Sequence, residues 1–421
     1  MSRCWFHRMG TAPTGAHEMT VIEKCRLLAS FSEEPHCITR TFLSAPMHDV
    51  HRTLRQWMEP LGMRVWLDDA GNLHGYYPAA IPEAKRILIG SHVDTVPNAG
   101  AFDGVLGVVL GIQVVEELAG RKMSFGIEVV AFSEEEGVRF GVPFLGSRAL
   151  VGTLDRSLLA AKDKLGITVA EAIQSFGLRP ENVMRATVNA TEVLGYFEFH
   201  IEQGPILESM NLSLGLVTAV AGQSRLELIF HGQANHAGTT PMNLRSDAVA
   251  AAAAWVSQVE QTAKATPGLV ATVGRFEVTP GAGNVIASEV RASLDVRCAQ
   301  DPVRLAAVSS LIHDAQTICA ARNMTVSCTQ LLDQQAVFCD SSLVNVLEAA
   351  MRKTGHQQHR MVSGAGHDAM IMQQRVPVAM LFLRSPGGIS HHPSESVLPQ
   401  DVDAAVHVGL AFLDSLEANH G

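Results

Sequence analysis

The chain has 421 residues, of which 47% are apolar, and a formal net charge of −10. This length and apolar content allow a full buried core and two domains. The acidic balance disfavours nucleic acid as a partner, because phosphate binding requires a basic face. The longest apolar run, residues 248–256, is well short of the roughly 20 residues that span a bilayer. With no secretory pattern at the amino terminus, the sequence predicts a cytoplasmic protein without membrane segments.

The first 85 residues are predicted to contain two helices and a strand pair. Apolar periodicity indicates helices over residues 21–30 and 48–61. Two β-rich runs, 64–67 and 72–77, predict strands joined by a turn. No residue pattern in this part of the chain indicates catalysis.

Residues 86–217 alternate between apolar strands and helices. Strands are predicted over residues 86–90, 126–132 and 194–199, and a helix over 105–118. This alternation is typical of βαβ units, in which helices cover both faces of a sheet.

The predicted order changes between residues 218 and 332. Strands and helices are predicted there in the order β-α-β-β-α-β, over 217–230, 245–264, 269–278, 284–297, 302–322 and 324–331. That order is the ferredoxin-like unit, which we interpret as an inserted lid or dimerisation domain. The earlier pattern resumes with predicted elements over 341–353, 376–383 and 400–416.

The predicted fold is therefore α/β with a discontinuous catalytic domain. Residues 1–217 and 333–421 would form this domain around a helix-covered mixed sheet. Residues 218–332 would form the inserted ferredoxin-like domain.

Histidines and carboxylates follow the predicted strands of the larger domain. They are His92, Asp94 and Asp103 after the first strand, Glu134, Glu135 and Glu136 after the second, His200 after the third, and His391 and His392 after the last. Because ligands bind at the carboxyl ends of strands in open α/β sheets, we expect these side chains to converge. Their donor types suit zinc or a similar divalent ion. The seven cysteines lack CxxC spacing, which argues against a thiolate site.

The same side chains can support metal-assisted hydrolysis. Two metals about 3.5–4 Å apart can clamp a reacting group, and a hydrolase also needs a free carboxylate as general base. Adjacent glutamates can divide the tasks of ligand and base. His92 and Asp94 point to one side of an extended backbone, so the carboxylate can orient the imidazole. Two alternatives stay open: residues 134–136 as a solvated acidic turn, and Asp94 as a loop cap.

Several motifs together resemble one known family. They are GSHVDTV at 90–96 with FDG at 102–104, SEEEG at 133–137, HIEQG at 200–204, NHAGTTP at 235–241, SGAGHDA at 363–369 and GISH at 388–391. They occur in the order found in the hydantoinase/carbamoylase family of amidases, relatives of the aminoacylase and glutamate carboxypeptidase metallohydrolases. The chain is identified as resembling this family.

The resemblance implies two divalent metal ions per chain, zinc first, with manganese, cobalt or nickel as alternatives. It implies five ligands: His92, Asp103, Glu136, His200 and His391. His92 and His391 would share one metal and Glu136 and His200 the other, with Asp103 as the bridge.

The resemblance also implies catalytic roles beside the metal ligands. Glu135 would be the general base and Asp94 the partner of His92. His392 directly follows His391, which leaves open which of the two is the ligand.

The inserted domain would carry the substrate-binding residues. Gln223, Asn284 and Arg297 match positions that hold substrate in the family. His236 matches a histidine that the partner subunit of a homodimer supplies to the oxyanion, a contact worth roughly 2.7–4 kcal/mol. Arg297 can grip a carboxylate with two hydrogen bonds. The alternatives are an Arg297 ion pair with Asp295 and His236 as an ordinary turn residue.

The implied activity is hydrolysis of the carbamoyl (ureido) C–N bond of a small ureido acid. The candidates are allantoate, favoured by the similarity at 221–225 and 363–369, and N-carbamoyl-L-amino acids. Gln223 could bond a second ureido arm. The alternatives are an aminoacylase or dipeptidase with the same two-metal site, which the 200–204 loop disfavours, and a metal-dependent binding protein without chemistry.

Overall fold

The computed structural model describes residues 19–420. Residues 1–18 of the predicted catalytic domain lie outside the described part. The strands are β1 (Arg64–Leu67), β2 (Leu73–Tyr77), β3 (Arg86–His92), β4 (Gly126–Phe132), β5 (Val193–Ile201), β6 (Leu214–Val220), β7 (Gly222–His231), β8 (Val270–Thr272), β9 (Phe276–Thr279), β10 (Glu289–Cys298), β11 (Thr325–Gln334), β12 (Val337–Phe338), β13 (Arg360–Ser363) and β14 (Val378–Leu383).

Helices follow most of these strands. They are α1 (Val21–Ala29), α2 (Met47–Met58), α3 (Val105–Glu117), α4 (Leu145–Val151), α5 (Arg156–Leu159), α6 (Val169–Ser175), α7 (Ile206–Ser209), α8 (Ala248–Ala265), α9 (Asp301–Ala320), α10 (Ser341–Lys353), α11 (Asp368–Met372) and α12 (Pro399–His420). No helix among residues 19–420 combines the length and apolarity needed to cross a bilayer.

The first sheet is mixed and has the order β1-β2-β4-β3-β5-β14-β6-β12, with β13 beside β6. Its centre, β4-β3-β5-β14, is parallel, so the carboxyl ends of these four strands lie at one edge. Alternate residues of β3 enter different cores. Ile87 and Ile89 pack in the core that includes α3 and α12, whereas Leu88 packs in the core that includes α4 and α11. The prediction of an α/β fold with a helix-covered mixed sheet is confirmed.

The second sheet has the order β11-β7-β10-β8, with β9 also beside β10, and every pair is antiparallel. Helices α8 and α9 cover one face with a core around Trp255 and Leu311. The indole Nε1 of Trp255 also donates to the Leu311 carbonyl at 2.9 Å. Burial alternates along β7 and β10, so their other face is left for polar side chains, among them Gln223 and Arg297.

The strand predicted over 217–230 is wrong as a single element. It is two strands, β6 and β7, which belong to different sheets and meet at Ala221. The strand predicted over 269–278 likewise consists of β8 and β9. An apolar β-rich run indicates extended backbone but not the partner to which each part is hydrogen-bonded. β6 and β7 therefore look continuous although they belong to different sheets, whereas β8 and β9 pair with separate stretches of one strand, β10. The predicted division into 1–217 with 333–421 and 218–332 stays a prediction.

Candidate metal centre and active site

Asp103 lies at the centre of a cluster of imidazole and carboxylate groups. Its Oδ1 is 3.3 Å from His200 Nε2 and 3.5 Å from His92 Nε2. Its Oδ2 is 3.2 Å from His391 Nε2, which is 3.5 Å from Glu136 Oε1. The structure therefore brings together all five residues predicted as metal ligands, from loops almost 300 positions apart in sequence.

The pairing within the cluster differs from the one implied by resemblance. His92, Asp103 and His200 form one group whose ligand atoms lie within 4.8 Å of one another, and Asp103, Glu136 and His391 form another. His92 thus neighbours His200, and His391 neighbours Glu136. Asp103 belongs to both groups, as expected of a bridging carboxylate.

Main-chain carbonyls orient the two buried imidazoles. His92 Nδ1 lies 3.0 Å from the Asp94 carbonyl, and His200 Nδ1 lies 2.9 Å from the Ile201 carbonyl. A proton on each Nδ1 would bond to these oxygens and leave Nε2 free toward Asp103. Gly104 permits this approach, since a Cβ there would lie 2.4 Å from atoms of the His92 ring.

Asp94 combines the two roles that the sequence left as alternatives. One carboxylate oxygen lies 3.4 Å from His92 Nδ1. The carboxylate also accepts hydrogen bonds from the backbone N–H groups of Glu135, at 2.9 Å, and Glu136, at 3.1 Å. Asp94 therefore ties the loop after β3 to the loop after β4.

The acidic run at 134–136 is not a solvated turn. Glu134 is completely buried and Glu135 is 8% exposed. Burial raises the pKa of Glu135 well above its usual range and that of Glu136 to about 7. Glu135 lies beside His92 and Glu136, with ligand atoms within 4.8 Å, so it can exchange a proton there.

Asp103 is held as a carboxylate and His200 as a neutral imidazole, the forms in which these side chains ligate metal. Burial opposes the charge of Asp103, but the neighbouring imidazoles of His391 and His92 hold its pKa well below the usual range. Burial also opposes the charge of His92, but contacts with Asp103 and Asp94 raise its pKa well above 6.5, so metal binding there would release a proton. Burial lowers the pKa of His200 to about 4, which keeps this imidazole neutral.

The residues present fit a pair of divalent ions. Asp103 Oδ1 is buried without a hydrogen-bond partner, and an unpaired buried carboxylate oxygen is costly unless a cation satisfies it. The three imidazoles and two carboxylates are donors that suit zinc and related metals.

His391, and not His392, belongs to the cluster. His391 contacts Asp103 and Glu136. His392 is exposed, and its Nδ1 accepts the backbone N–H of Ser394 at 3.1 Å. These contacts favour His391 over His392 as the metal ligand.

The second sheet contributes two of its predicted residues to the same cleft. Gln223 and Arg297 line a cleft of about 1160 Å³ together with His92 and Glu135. Gln223 Nε2 donates to Gln334 Oε1 at 3.0 Å, in register on the neighbouring strand.

Arg297 has partners within the chain. Its Nε and Nη2 donate to the carboxylate of Asp295 at 2.8 and 3.0 Å, and its Nη1 donates to the Gly364 carbonyl at 2.6 Å. The Asp295 pair considered from the sequence is therefore present. The bond to Gly364 joins the second sheet to the loop after β13.

His236 and Asn284 do not line this cleft. Both are exposed, and their segments pair through a backbone bond from Ala237 N–H to the Asn284 carbonyl at 3.0 Å. His236 Nδ1 accepts the Gly238 N–H at 3.1 Å, as in an ordinary turn. The structure thus separates these two residues from the metal-ligand cluster of their own chain.

Sequence reasoning missed three polar contacts around Asp103. Gln203 Nε2 and Ser390 Oγ donate to its Oδ2 at 2.8 and 2.7 Å, and Glu395 accepts its backbone N–H at 3.0 Å. Gln203 and Ser390 stand inside motifs already noted, at 200–204 and 388–391, so their position was a usable signal. Glu395 had no such signal, because its contact joins loops 292 residues apart.

Comparison with known proteins defines the class. The sequence model of the family described as peptidase family M20/M25/M40 matches residues 88–415. The chain therefore belongs to this family of metal-dependent hydrolases. The sequence-based recognition of an amidase within this superfamily is confirmed.

Relatives and solved structures narrow the similarity. Allantoate deiminase 1 of Glycine max is 38% identical, over 92% of this chain and 87% of its own length. The N-carbamoyl-L-amino acid amidohydrolase of Geobacillus stearothermophilus is 37% identical, over 88% and 91%. A crystal structure of a hydantoinase/carbamoylase family amidase from Burkholderia multivorans is 31% identical, with a TM-score of 0.88 over 94% of this chain and 97% of that one. The relatives' names are those of hydrolases that act on C–N bonds outside peptides.

Proposed function

We propose that the protein hydrolyses the carbamoyl C–N bond of a small ureido acid with the help of two divalent metal ions. The observation that carries this proposal is the convergence of five ligand-type side chains around Asp103 beside the buried Glu135. The substrate class comes from the relatives, which are named for allantoate or for N-carbamoyl-L-amino acids.

In this proposal Asp103 would contribute to both metal sites. His92 and His200 would complete the first site, and Glu136 and His391 the second. When bound, the ions supply Lewis acidity that polarises a carbonyl group and makes water more acidic. Zinc suits the donor set best, with manganese, cobalt or nickel as alternatives.

Glu135 would act as general base and then as general acid. It takes a proton from the attacking water, whose oxygen adds to the carbamoyl carbon, and it returns the proton to the leaving nitrogen. The bond between the carbamoyl carbon and this nitrogen breaks and leaves a carbamate, which then decomposes with loss of carbon dioxide. The products are ammonia, carbon dioxide and an amine. Burial raises the pKa of Glu135, so this carboxyl group can hold the proton between the two steps.

The second sheet would bind the substrate. Arg297 would grip the carboxylate with its guanidinium fork, exchanging part of its contact with Asp295 for the substrate. The amides of Gln223 and Gln334 lie beside it in the cleft, and together they offer donors and acceptors to a second ureido arm. This arrangement favours allantoate over N-carbamoyl-L-amino acids.

Residues 218–332 would form a ferredoxin-like lid that also makes a homodimer. The strand order of the second sheet and its two covering helices support the ferredoxin-like interpretation. The exposed positions of His236 and Asn284, away from their own cleft, support a role for them in the partner subunit's site, with His236 donating to the oxyanion. The cytoplasmic location stays a prediction.

The test is an assay of ammonia release from allantoate and from N-carbamoyl-L-amino acids, with and without a chelator. N-acetyl-L-amino acids are included and assayed for acetate. We expect release from the ureido substrates, loss of activity with chelator, and recovery on addition of zinc or manganese. Turnover of the acetyl substrates alone would replace the proposal by an aminoacylase. Absence of turnover with metal bound would favour a binding protein.

A further inference from the structure

Glu395 joins two loops of the candidate metal centre. It lies four residues after His391 in the loop that precedes α12, and it is 6% exposed. Its Oε1 accepts the backbone N–H groups of Phe102, at 2.8 Å, and of Asp103, at 3.0 Å. One carboxylate oxygen thus connects the segment that carries His391 to the backbone of the central carboxylate.

The contact is closely packed. A Cβ added at Gly100 would lie 2.3 Å from Glu395 Cβ and 2.5 Å from its Oε1. The loop before Asp103 therefore approaches the Glu395 side chain as closely as a glycine allows. Glu395 Oε2 is buried without a hydrogen-bond partner, so only Oε1 makes hydrogen bonds in this arrangement.

Asp94 makes the same type of contact on the other side of the centre. Its carboxylate accepts the backbone N–H groups of Glu135 and Glu136. Asp94 ties the loop of His92 to the loop of Glu136, and Glu395 ties the loop of His391 to the loop of Asp103. Two buried carboxylates therefore connect the loop after β3, which carries both Asp94 and Asp103, to the loop after β4 and to the loop after β14.

We propose that Glu395 is a positioning residue that sets Asp103 at the correct distance from His391. This inference rests on the proposed function, because it assumes that both residues hold metal. Glu395 would act through the Asp103 main chain, since its hydrogen bonds go to N–H groups and not to the oxygens that face the imidazoles. Such supporting contacts around metal ligands govern metal affinity.

The test measures zinc affinity of the full chain by competition with a chelator, for wild type, Glu395→Met and Glu395→Gln. Methionine keeps most of the side-chain volume but cannot accept both N–H groups, so we expect affinity to fall about 10- to 100-fold. Glutamine keeps an oxygen that can accept both, and it should retain most of the wild-type affinity. Rescue by glutamine distinguishes hydrogen bonding from a need for charge or for volume.

Glu417→Met is the matched control. Glu417 also accepts a backbone N–H from a distant residue, Ser124, at 2.7 Å, but it lies on α12 away from the cluster. Its replacement should leave zinc affinity unchanged. If Glu395→Met does not fold, Gly100→Ala tests the same contact, because the added methyl group displaces Glu395, and the same fall in affinity is expected.

Three results would overturn the inference. They are wild-type affinity in Glu395→Met or Gly100→Ala, equal losses in the Gln and Met variants, and an equal loss in Glu417→Met. A wild-type chain that binds no divalent metal would instead overturn the proposed function. Bound metal per chain and the unfolding temperature of the metal-free proteins, measured alongside, separate an effect on the centre from a general loss of stability.

Discussion

The two sheets differ in how much of a functional site each completes within one chain. At the edge of the first sheet, His92, Asp103 and His200 are buried, and their contacts are made within the chain. On the second sheet, Gln223 and Arg297 reach the cleft, whereas His236 and Asn284 do not. In the proposed mechanism, therefore, metal binding and proton transfer depend on the first sheet, and substrate recognition depends on how the second sheet is placed.

Replacement of Glu135 tests the first region most strongly. Glu135→Gln should lower kcat by about 10²- to 10⁴-fold, because the amide cannot transfer the proton. Metal content per chain, measured by elemental analysis, should equal that of wild type. Residual turnover of more than a few per cent would contradict the assignment of Glu135 as base.

Replacement of Arg297 tests the proposed role of the second sheet in substrate binding. Arg297→Lys should mainly raise KM, because a point charge cannot reproduce the fork. A lost charged hydrogen bond costs about 1.5–3 kcal/mol, or roughly 10- to 150-fold. Steady-state kinetics provide the measurement, and Arg291→Lys on the same strand, where Arg291 pairs with Glu289, is the control. An unchanged KM would remove Arg297 from the substrate site.

Replacement of Gln223 tests whether the second sheet distinguishes allantoate from N-carbamoyl-L-amino acids. Gln223→Leu should raise KM for allantoate roughly 2- to 12-fold, the cost of a neutral hydrogen bond of about 0.5–1.5 kcal/mol. KM for an N-carbamoyl-L-amino acid, which lacks the second ureido arm, should not change. Equal effects on both substrates would mean that Gln223 does not bind the second ureido arm.

Replacement of His74, in the first sheet but outside the candidate active site, should lower stability and leave catalysis unchanged. Burial opposes its charge, but hydrogen bonds with Asp68 and Glu128 raise its pKa to about 9 from the usual 6.5. The folded state therefore binds the proton more tightly, so this stabilisation is complete below pH 6.5 and is lost as pH rises through about 9.

The measurement is the free energy of unfolding of wild type and His74→Gln near pH 6 and near pH 10. Loss of the buried pair should destabilise the variant by roughly 3–5 kcal/mol at the lower pH, and the difference should shrink at the higher pH. His231→Gln, at an exposed position of β7, is the control. A pH-independent difference, or a changed kcat, would contradict this interpretation.

Local patterns predicted much of the first sheet. The strand at 126–132 and the helix at 341–353 coincide with β4 and α10, because long apolar runs and amphipathic periodicity reflect local backbone preference. The transition from β6 to β7 could not be predicted in this way. Both parts are extended, β6 largely apolar and β7 alternating between apolar and polar residues, and only hydrogen bonding to distant strands assigns them to different sheets.

The candidate site shows the same division between features that the local sequence predicts and features that depend on the tertiary structure. Strand ends and donor chemistry selected a wider set of histidines and carboxylates. The family resemblance reduced that set to His92, Asp103, Glu136, His200 and His391, which the structure brings together. The pairing of His92 with His200, the exclusion of His392 and the contact of Glu395 with Asp103 depend on distances between loops far apart in the chain. Local sequence specifies backbone conformation and the kinds of side chain at strand ends. Which of those side chains face each other follows from strand order and packing, because these fix the distances between loops.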